Sequence, residues 1–310
     1  FIFRRRHDAK VEHLFLYVCT MTVQEAAQKL LFQLFHIYEE REARNIADLV
    51  MEYVTGWKRI DRILNKQVPV SAAMETLLQR YTGELLAHKP VQYVLGETWF
   101  YGMKFCVNEH VLIPRPETEE LVEWIISDAR LQETNPKPRI LDIGTGSGCI
   151  AIALKKFLAD AEVFACDISK EALAVAAGNA RLNGIGIHLV ECDFLNHIQR
   201  NRLGTFDIVV SNPPYIPAAE RAGMQLNVVN YEPHVALFVA DNNPLVFYDA
   251  ISGFSRANLL EGGLVYMEIN ERLGGPVEEL LKSKDFEVSL KKDLQGKDRM
   301  VKAYQVRKDR

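Results

Sequence analysis

At 310 residues the chain exceeds the usual size of a single domain and points to two. A hydrophobic content of 48% with 25% charged residues is ordinary for a soluble globular protein, and a formal net charge of −4 argues against a general nucleic-acid binder. No apolar run approaches the ~18–20 residues that cross a bilayer, so no membrane association is expected.

Residues 1–20, FIFRRRHDAKVEHLFLYVCT, join a basic triplet at 4–6 to a short apolar patch at 14–18. Asp8 and Glu12 suit neither a signal peptide nor an acid-poor transit peptide. Met21 reads as initiator-like, and Thr22 with Glu25 forms the T-x-x-E capping box of a helix start. An ordered protein beginning near Met21 is therefore expected, with 1–20 as a non-catalytic extension. From 21 to 88 apolar residues recur at helical intervals: Leu30, Leu31, Leu34, Phe35 and Tyr38, then Ile46, Leu49, Val50 and Tyr53. Gly56 and Pro69 mark helix ends, which predicts a small helical domain. Residues 89–113 turn β-rich around Gly96 and Gly102 and predict a hairpin linking two domains. Pro116 then opens a helix whose first turn is acidic, as the helix dipole favours.

Beyond Asn135-Pro136-Lys137-Pro138 strands and helices alternate. Strands are predicted over 139–143, 163–167, 187–191, 206–211 and 263–269, with helices over 147–158, 170–182 and 244–260. Strands over 286–292 and 300–306, joined at Gln295-Gly296-Lys297-Asp298, read as an antiparallel hairpin. The pattern is α/β: a seven-stranded doubly wound sheet with a reversed terminal hairpin, closer to a methyltransferase than to a dehydrogenase. The five cysteines contain no C-x-x-C pair, so neither a disulfide framework nor a zinc site is specified, and a reducing, cytoplasmic setting fits. Cys149, Cys166 and Cys192 read as buried, inert thiols. His188, within a strand, reads as structural.

The first strand runs into Leu141-Asp142-Ile143-Gly144-Thr145-Gly146-Ser147-Gly148. Dinucleotide, flavin and S-adenosylmethionine enzymes all use a glycine-rich strand-to-helix turn, which lets a ligand approach backbone N–H groups. Here Cys149 stands where the dinucleotide pattern wants a third glycine. Asp142 would repel a pyrophosphate but suits the sulfonium and ammonium of S-adenosylmethionine. Asp167 ends the second strand, where a carboxylate can accept both ribose hydroxyls. Asp193 and Phe194 end the third, where an acid can bond an adenine amino group and a ring can pack on the base. A helix cap or a solvated turn acid is the plainer reading of Asp193.

The fourth strand stops at Ser211-Asn212-Pro213-Pro214-Tyr215-Ile216. Asn-Pro opens many ordinary loops, but two prolines also make a stiff mount. A carboxamide nitrogen is a poor nucleophile because its lone pair is delocalised into the carbonyl. Asn212 can offer its side-chain oxygen and Pro213 its main-chain carbonyl to the two N–H bonds of a flat amide, and Tyr215 can stack on its face.

Taken together, Pro90-Val91-Gln92-Tyr93, IPRPETE at 113–119, LDIGTGSG at 141–148 and SNPPYI at 211–216 resemble the HemK/PrmC family of protein-glutamine N5-methyltransferases that modify peptide chain release factors. Tyr231-Glu232-Pro233 is a further similar segment, followed by Ala240-Asp241-Asn242-Asn243-Pro244 where the family carries a Gly-x-Asp-Gly turn. The resemblance runs from about Met21 onward. It implies a class I S-adenosylmethionine-dependent methyltransferase domain over 114–310 and a substrate-recognition role for 21–88. It also implies methyl transfer to N5 of the glutamine in the GGQ motif of class-1 release factors, in support of translation termination. By the same resemblance Gly144, Thr145, Gly146, Ser147, Gly148, Asp167 and Phe194 line the cofactor pocket and Asn212, Pro213, Pro214 and Tyr215 hold the glutamine. The resemblance also implies that Thr118 reaches the methionine carboxylate. NPPY is shared with enzymes that methylate exocyclic amines of adenine or guanine in DNA or RNA, which is the alternative reading. Such an enzyme needs a basic track for the nucleic-acid backbone, and no stable nucleic-acid binding is expected here. A nicotinamide dehydrogenase and a non-catalytic S-adenosylmethionine-binding regulator are weaker rivals.

Overall fold

The computed structural model describes residues 21–131 and 137–305. The extension expected over 1–20 and the linker residues Asn135 and Pro136 lie outside the described residues. The chain divides into two compact units between Leu86 and Ala87.

In the first unit, helices α1 (Val23–Leu34), α2 (Glu40–Thr55), α3 (Arg59–Leu64) and α4 (Ala72–Leu86) follow one another. The capping box forms in full: the Glu25 N–H donates to Thr22 Oγ1 at 3.2 Å and the Thr22 N–H donates to Glu25 Oε2 at 2.8 Å. The second bond holds the Glu25 carboxyl below its usual pKa. The core stripe is Ala26, Leu30 and Leu34 on α1 against Ala43, Ala47 and Val50 on α2, with Leu78 and Leu85 on α4. It is narrower than the sequence pattern suggests, because Phe35, Leu49 and Tyr53 stay exposed. Small alanines let the helices approach, which pushes the larger side chains to the flanks. Arg62 is buried, and its guanidinium donates to Asp48 Oδ1 at 2.7 Å and to the Trp57 carbonyl at 3.0 Å.

The second unit opens with α5 (Val91–Leu95), then the hairpin β1 (Glu97–Phe100) and β2 (Met103–Cys106). The hairpin is thus shorter than expected over 89–113. Val91, Tyr93 and Val94 look strand-like but are helical and buried, ending at Gly96 in the left-handed region (φ +72°). Next come α6 (Pro116–Leu131), β3 (Arg139–Ile143), α7 (Cys149–Phe157), β4 (Glu162–Asp167), α8 (Lys170–Leu182), β5 (His188–Glu191), α9 (His197–Arg200) and β6 (Phe206–Ser211). The chain continues through β7 (Ile216–Pro217), α10 (Leu226–Tyr231), α11 (His234–Leu237) and β8 (Phe238–Val239) to α12 (Val246–Asn258), β9 (Leu259–Glu268), α13 (Gly274–Ser283), β10 (Phe286–Lys292) and β11 (Asp298–Gln305).

Seven strands form one sheet in the order β10-β11-β9-β6-β3-β4-β5. β11 runs antiparallel to both of its neighbours, whereas β9, β6, β3, β4 and β5 are mutually parallel. This is the class I methyltransferase arrangement. The two-residue side-chain period sends Ile140, Ile208, Val210, Leu264 and Tyr266 to one face under α6 and α7. Leu141, Ile143, Val209, Val265 and Met267 go to the other face, under α12 and α13. Each fully buried Leu or Ile contributes about 1.5–3 kcal/mol, so the sheet depends on both covers. The chain reverses direction across the sheet between β3 and β6, and the crevice at the carboxyl ends of these strands is where such sheets take ligands. Among the described residues no helix is long and apolar enough to cross a membrane.

Candidate active site

The turn from β3 to α7 is held by its glycines, which all adopt positive φ: +70° at Gly144, +53° at Gly146 and +81° at Gly148. The N–H groups of Gly144 and Thr145 both donate to the Cys166 carbonyl, tying the turn to β4. A Cβ at Gly144 or Gly146 would meet nothing within 4 Å, whereas one at Gly148 would meet Ala176 Cβ and Ile152 Cδ1 at 3.1 Å. The first two glycines open the turn towards a ligand; the third lets α7 pack on α8.

Asp142 lies beneath this turn, fully buried. Its Oδ2 accepts from the Thr145 hydroxyl at 2.6 Å and the Ala151 N–H at 3.2 Å, and its Oδ1 has no hydrogen-bond partner. Burial pushes its carboxyl up to about 7, against the lowering effect of those two bonds. Thr145 and Ser147 are also buried, and the Ser147 carbonyl accepts from Asn179 Nδ2 at 2.9 Å.

A cavity opens beside the turn, and its wall includes Gly144, Gly146, Asp167, Asp193, Phe194, Asn212, Pro213 and Pro214. Asp167 Oδ2 accepts from the Gly146 N–H and Oδ1 from the Ser169 N–H, both at 2.9 Å. Each oxygen keeps a lone pair for a further donor. Asp193 Oδ1 accepts from the Leu195 N–H at 3.0 Å, so the turn reading of this acid holds while it also faces the cavity. Phe194 is buried edge-on against Phe254, with ring centres 5.4 Å apart. Cys166 and Cys192 are buried, as expected, and both reach the cavity wall. His188 is exposed and stacks on Phe164 at 4.6 Å.

The remaining expected site residues stand behind the wall. Asp142, Thr145, Ser147 and Gly148 brace the turn from below. Thr118 is buried in the first turn of α6, and Tyr215 is half-buried against the face of the sheet that α12 and α13 cover. Both meet Glu268, the buried last residue of β9. The Thr118 hydroxyl donates to Glu268 Oε2 at 2.6 Å, the Tyr215 hydroxyl donates to Oε1 at 3.3 Å, and Asn212 Nδ2 donates to Thr118 Oγ1 at 3.1 Å. Burial raises the Glu268 carboxyl, opposed by the Thr118 bond, the Arg299 charge and the Tyr215 bond. Arg115, in the IPRPETE segment, pairs with buried Glu232 at 2.6 Å. Neither Glu268 nor the Arg115–Glu232 pair is read from the sequence. An acid closing the apolar run Leu264-Val265-Tyr266-Met267 was the available signal for Glu268.

Residues 25–96 match the PrmC N-terminal domain and residues 128–230 match the methyltransferase small domain. A release factor glutamine methyltransferase of Flavobacterium psychrophilum is 43% identical over 283 residues, covering 91% of this chain and 99% of that one. The enzyme of the same name from Bacteroides thetaiotaomicron is 39% identical, covering 86% of this chain and 94% of its own. That of Bacillus subtilis is 36% identical, covering 86% and 93%. A glycine turn, a carboxylate-edged cavity and an Asn-Pro-Pro rim thus occur in a chain that matches such enzymes along nearly their full length, and the chain belongs to the release factor glutamine methyltransferase family.

Proposed function

We propose that this enzyme transfers a methyl group from S-adenosylmethionine to the side-chain nitrogen N5 of the glutamine in the GGQ motif of class-1 peptide chain release factors. The observation that carries the reading is one cavity whose wall joins the Gly144–Asp167 edge to the Asn212-Pro213-Pro214 rim. The residues fit the cofactor: the space that side chains at Gly144 and Gly146 would fill is left open, and both Asp167 oxygens retain acceptor capacity beside it. Asp167 would hold the ribose hydroxyls, Asp193 the adenine amino group, and Phe194 the base. When bound, S-adenosylmethionine supplies a methyl group on an electron-poor sulfonium.

Everything else is positioning. Asn212 Oδ1 and the Pro213 carbonyl accept the two N–H bonds of the glutamine amide, which turns its nitrogen towards the cofactor and raises its electron density. The prolines hold both acceptors before the substrate arrives, so little ordering remains at the moment of transfer. The product nitrogen passes its extra proton to solvent through either carbonyl. The helical unit ending at Leu86 selects the protein substrate in this reading.

The test is transfer of tritiated methyl from S-adenosylmethionine to a purified class-1 release factor and to the same factor with the GGQ glutamine changed to alanine. Label in the first and not the second is expected. Equal labelling of both, or labelling of RNA in place of protein, defeats the proposal.

A further inference from the structure

We propose that Glu268 is a positioning residue that sets which end of the Asn212 carboxamide faces the substrate, an inference that rests on the methyl-transfer reading above. The two ends of a carboxamide have nearly the same shape but opposite hydrogen-bonding character. The mechanism needs the oxygen outward: an outward NH₂ would oppose the NH₂ of the glutamine. Shape cannot make that choice, so the partner behind Asn212 must.

That partner is Thr118 Oγ1, 3.1 Å from Asn212 Nδ2. A threonine hydroxyl owns one proton and can give it in one direction only. On its other side lies Glu268 Oε2, which accepts the Thr118 hydroxyl at 2.6 Å while the Arg299 charge and the bonds from Thr118 and Tyr215 favour its ionised form against burial. A carboxylate accepts and cannot donate. The Thr118 proton therefore points to Glu268, a lone pair is left towards Asn212, and the NH₂ end turns to meet it. Oδ1 is the end that remains for the substrate.

The surroundings keep Glu268 committed to this task. Ser211 pairs with Met267 across β6 and β9, so Asn212 and Glu268 leave the sheet side by side. Thr118, in the first turn of α6, bonds to both. The second carboxylate oxygen takes the Tyr215 hydroxyl at 3.3 Å, and the Tyr248 hydroxyl donates to the Glu268 main-chain carbonyl at 3.2 Å. One buried acid thus accepts hydrogen bonds from Tyr215 at one end of the Asn-Pro-Pro-Tyr turn and from the threonine that holds Asn212 at the other.

Thr118→Val, Thr118→Ser, Glu268→Gln and the Thr118→Val/Glu268→Gln double variant separate this role from a merely structural one. For each, melting temperature, S-adenosylmethionine affinity by calorimetry and single-turnover methylation of the release factor are measured separately. Thr118→Val should slow transfer about 10- to 100-fold, the usual cost of losing a group that orients a functional side chain. Glu268→Gln, whose amide can hand a proton to Thr118, should also slow it. Because the Thr118 hydroxyl is engaged by Glu268 and Asn212 behind the cavity wall, and not by the methionine carboxylate that the family resemblance assigns to it, cofactor affinity should stay within about threefold. Thr118→Ser should restore the rate, and the double variant should be no slower than Thr118→Val, because Glu268 acts through Thr118. Parallel losses of affinity and rate, additive effects in the double variant, or normal rates in both single variants overturn the inference. If Glu268→Gln fails to fold, the Thr118 pair decides alone. A wild-type enzyme that labels no release factor defeats the functional reading and takes this inference with it; normal labelling by wild type and Thr118→Val alike defeats this inference only.

Discussion

Arg115 and Glu232, 117 positions apart, meet in a 2.6 Å ion pair whose acid is almost wholly buried while its base keeps about a third of its side chain in solvent. Burial pushes the Glu232 carboxyl up, the Arg115 charge pulls it down, and Oε2 has no hydrogen-bond partner. Removing the base leaves a buried acid without its counter-charge, which typically costs 3–5 kcal/mol. With Arg115 partly exposed, Arg115→Ala should cost about 2–3 kcal/mol in urea unfolding. Without Arg115, the folded-state pKa of Glu232 lies further above its unfolded value, so stability falls as pH rises through that interval. The deficit should therefore be larger at pH 8 than at pH 5; a deficit independent of pH contradicts the account.

Asp142 offers the same sign in a simpler setting. Its folded carboxyl titrates near 7 against an ordinary value of 3.8, so the folded state holds its proton more tightly than the unfolded chain. Stability from this group is full below about pH 4 and declines until pH 7 is passed. Asp142→Asn removes the titration while keeping an acceptor for Thr145. The variant should melt higher than wild type at pH 8, with the gap closing towards pH 4–5. A gap that widens on acidification would contradict the buried-acid account.

Gly146 and Gly148 should respond differently to alanine. Both have positive φ, so each substitution carries backbone strain of roughly 1 kcal/mol or more. At Gly148 the added methyl also meets Ala176 and Ile152 at 3.1 Å, and the loss should appear mainly in melting temperature. At Gly146 the methyl has free space beside the cavity, and the loss should appear mainly in cofactor affinity. Calorimetry and thermal melts on both variants distinguish these outcomes; matching profiles would mean that the two glycines share one role.

Asn212→Ala leaves the glycine turn and Asp167 intact, so cofactor affinity should change little. The chemical step should slow by ~10²–10³-fold, the usual effect of losing a hydrogen-bonding group aimed at the reacting atoms. A near-normal single-turnover rate on release factor would remove Asn212 from the mechanism.

Much of this was legible in the sequence because local rules agreed with one another. β3, α8, β6 and β10 begin and end where the sequence pattern places them, at 139–143, 170–182, 206–211 and 286–292, and the Thr22–Glu25 box forms as its spacing requires. The misreadings have local causes too. α13, which starts Gly274-Gly275-Pro276, is absent from the expected helices, and α5 is built from the β-branched and aromatic residues of a strand. Phe35, Leu49 and Tyr53 fit a helical stripe but were displaced from the core by smaller neighbours. The site was half visible: Asp167 and Asn212 sit at strand ends, where chemistry-bearing side chains announce themselves. Glu268 was hidden because its meaning lies in Thr118, 150 positions away, and the same holds for Arg115 and Glu232. No spacing rule spans such distances.

The reversed strand has a consequence for how this protein comes into being. β11 follows every other described strand in the chain, yet it lies between β10 and β9 and hydrogen-bonds to both. Until residues 298–305 have emerged from the ribosome, β9 has one open edge, β10 has no partner, and the sheet end that carries Glu268 is unsealed. Open edges of this kind invite pairing with other chains. A nascent chain stalled before Asp298 is therefore an aggregation hazard, because the sheet cannot close until its last described strand has been made.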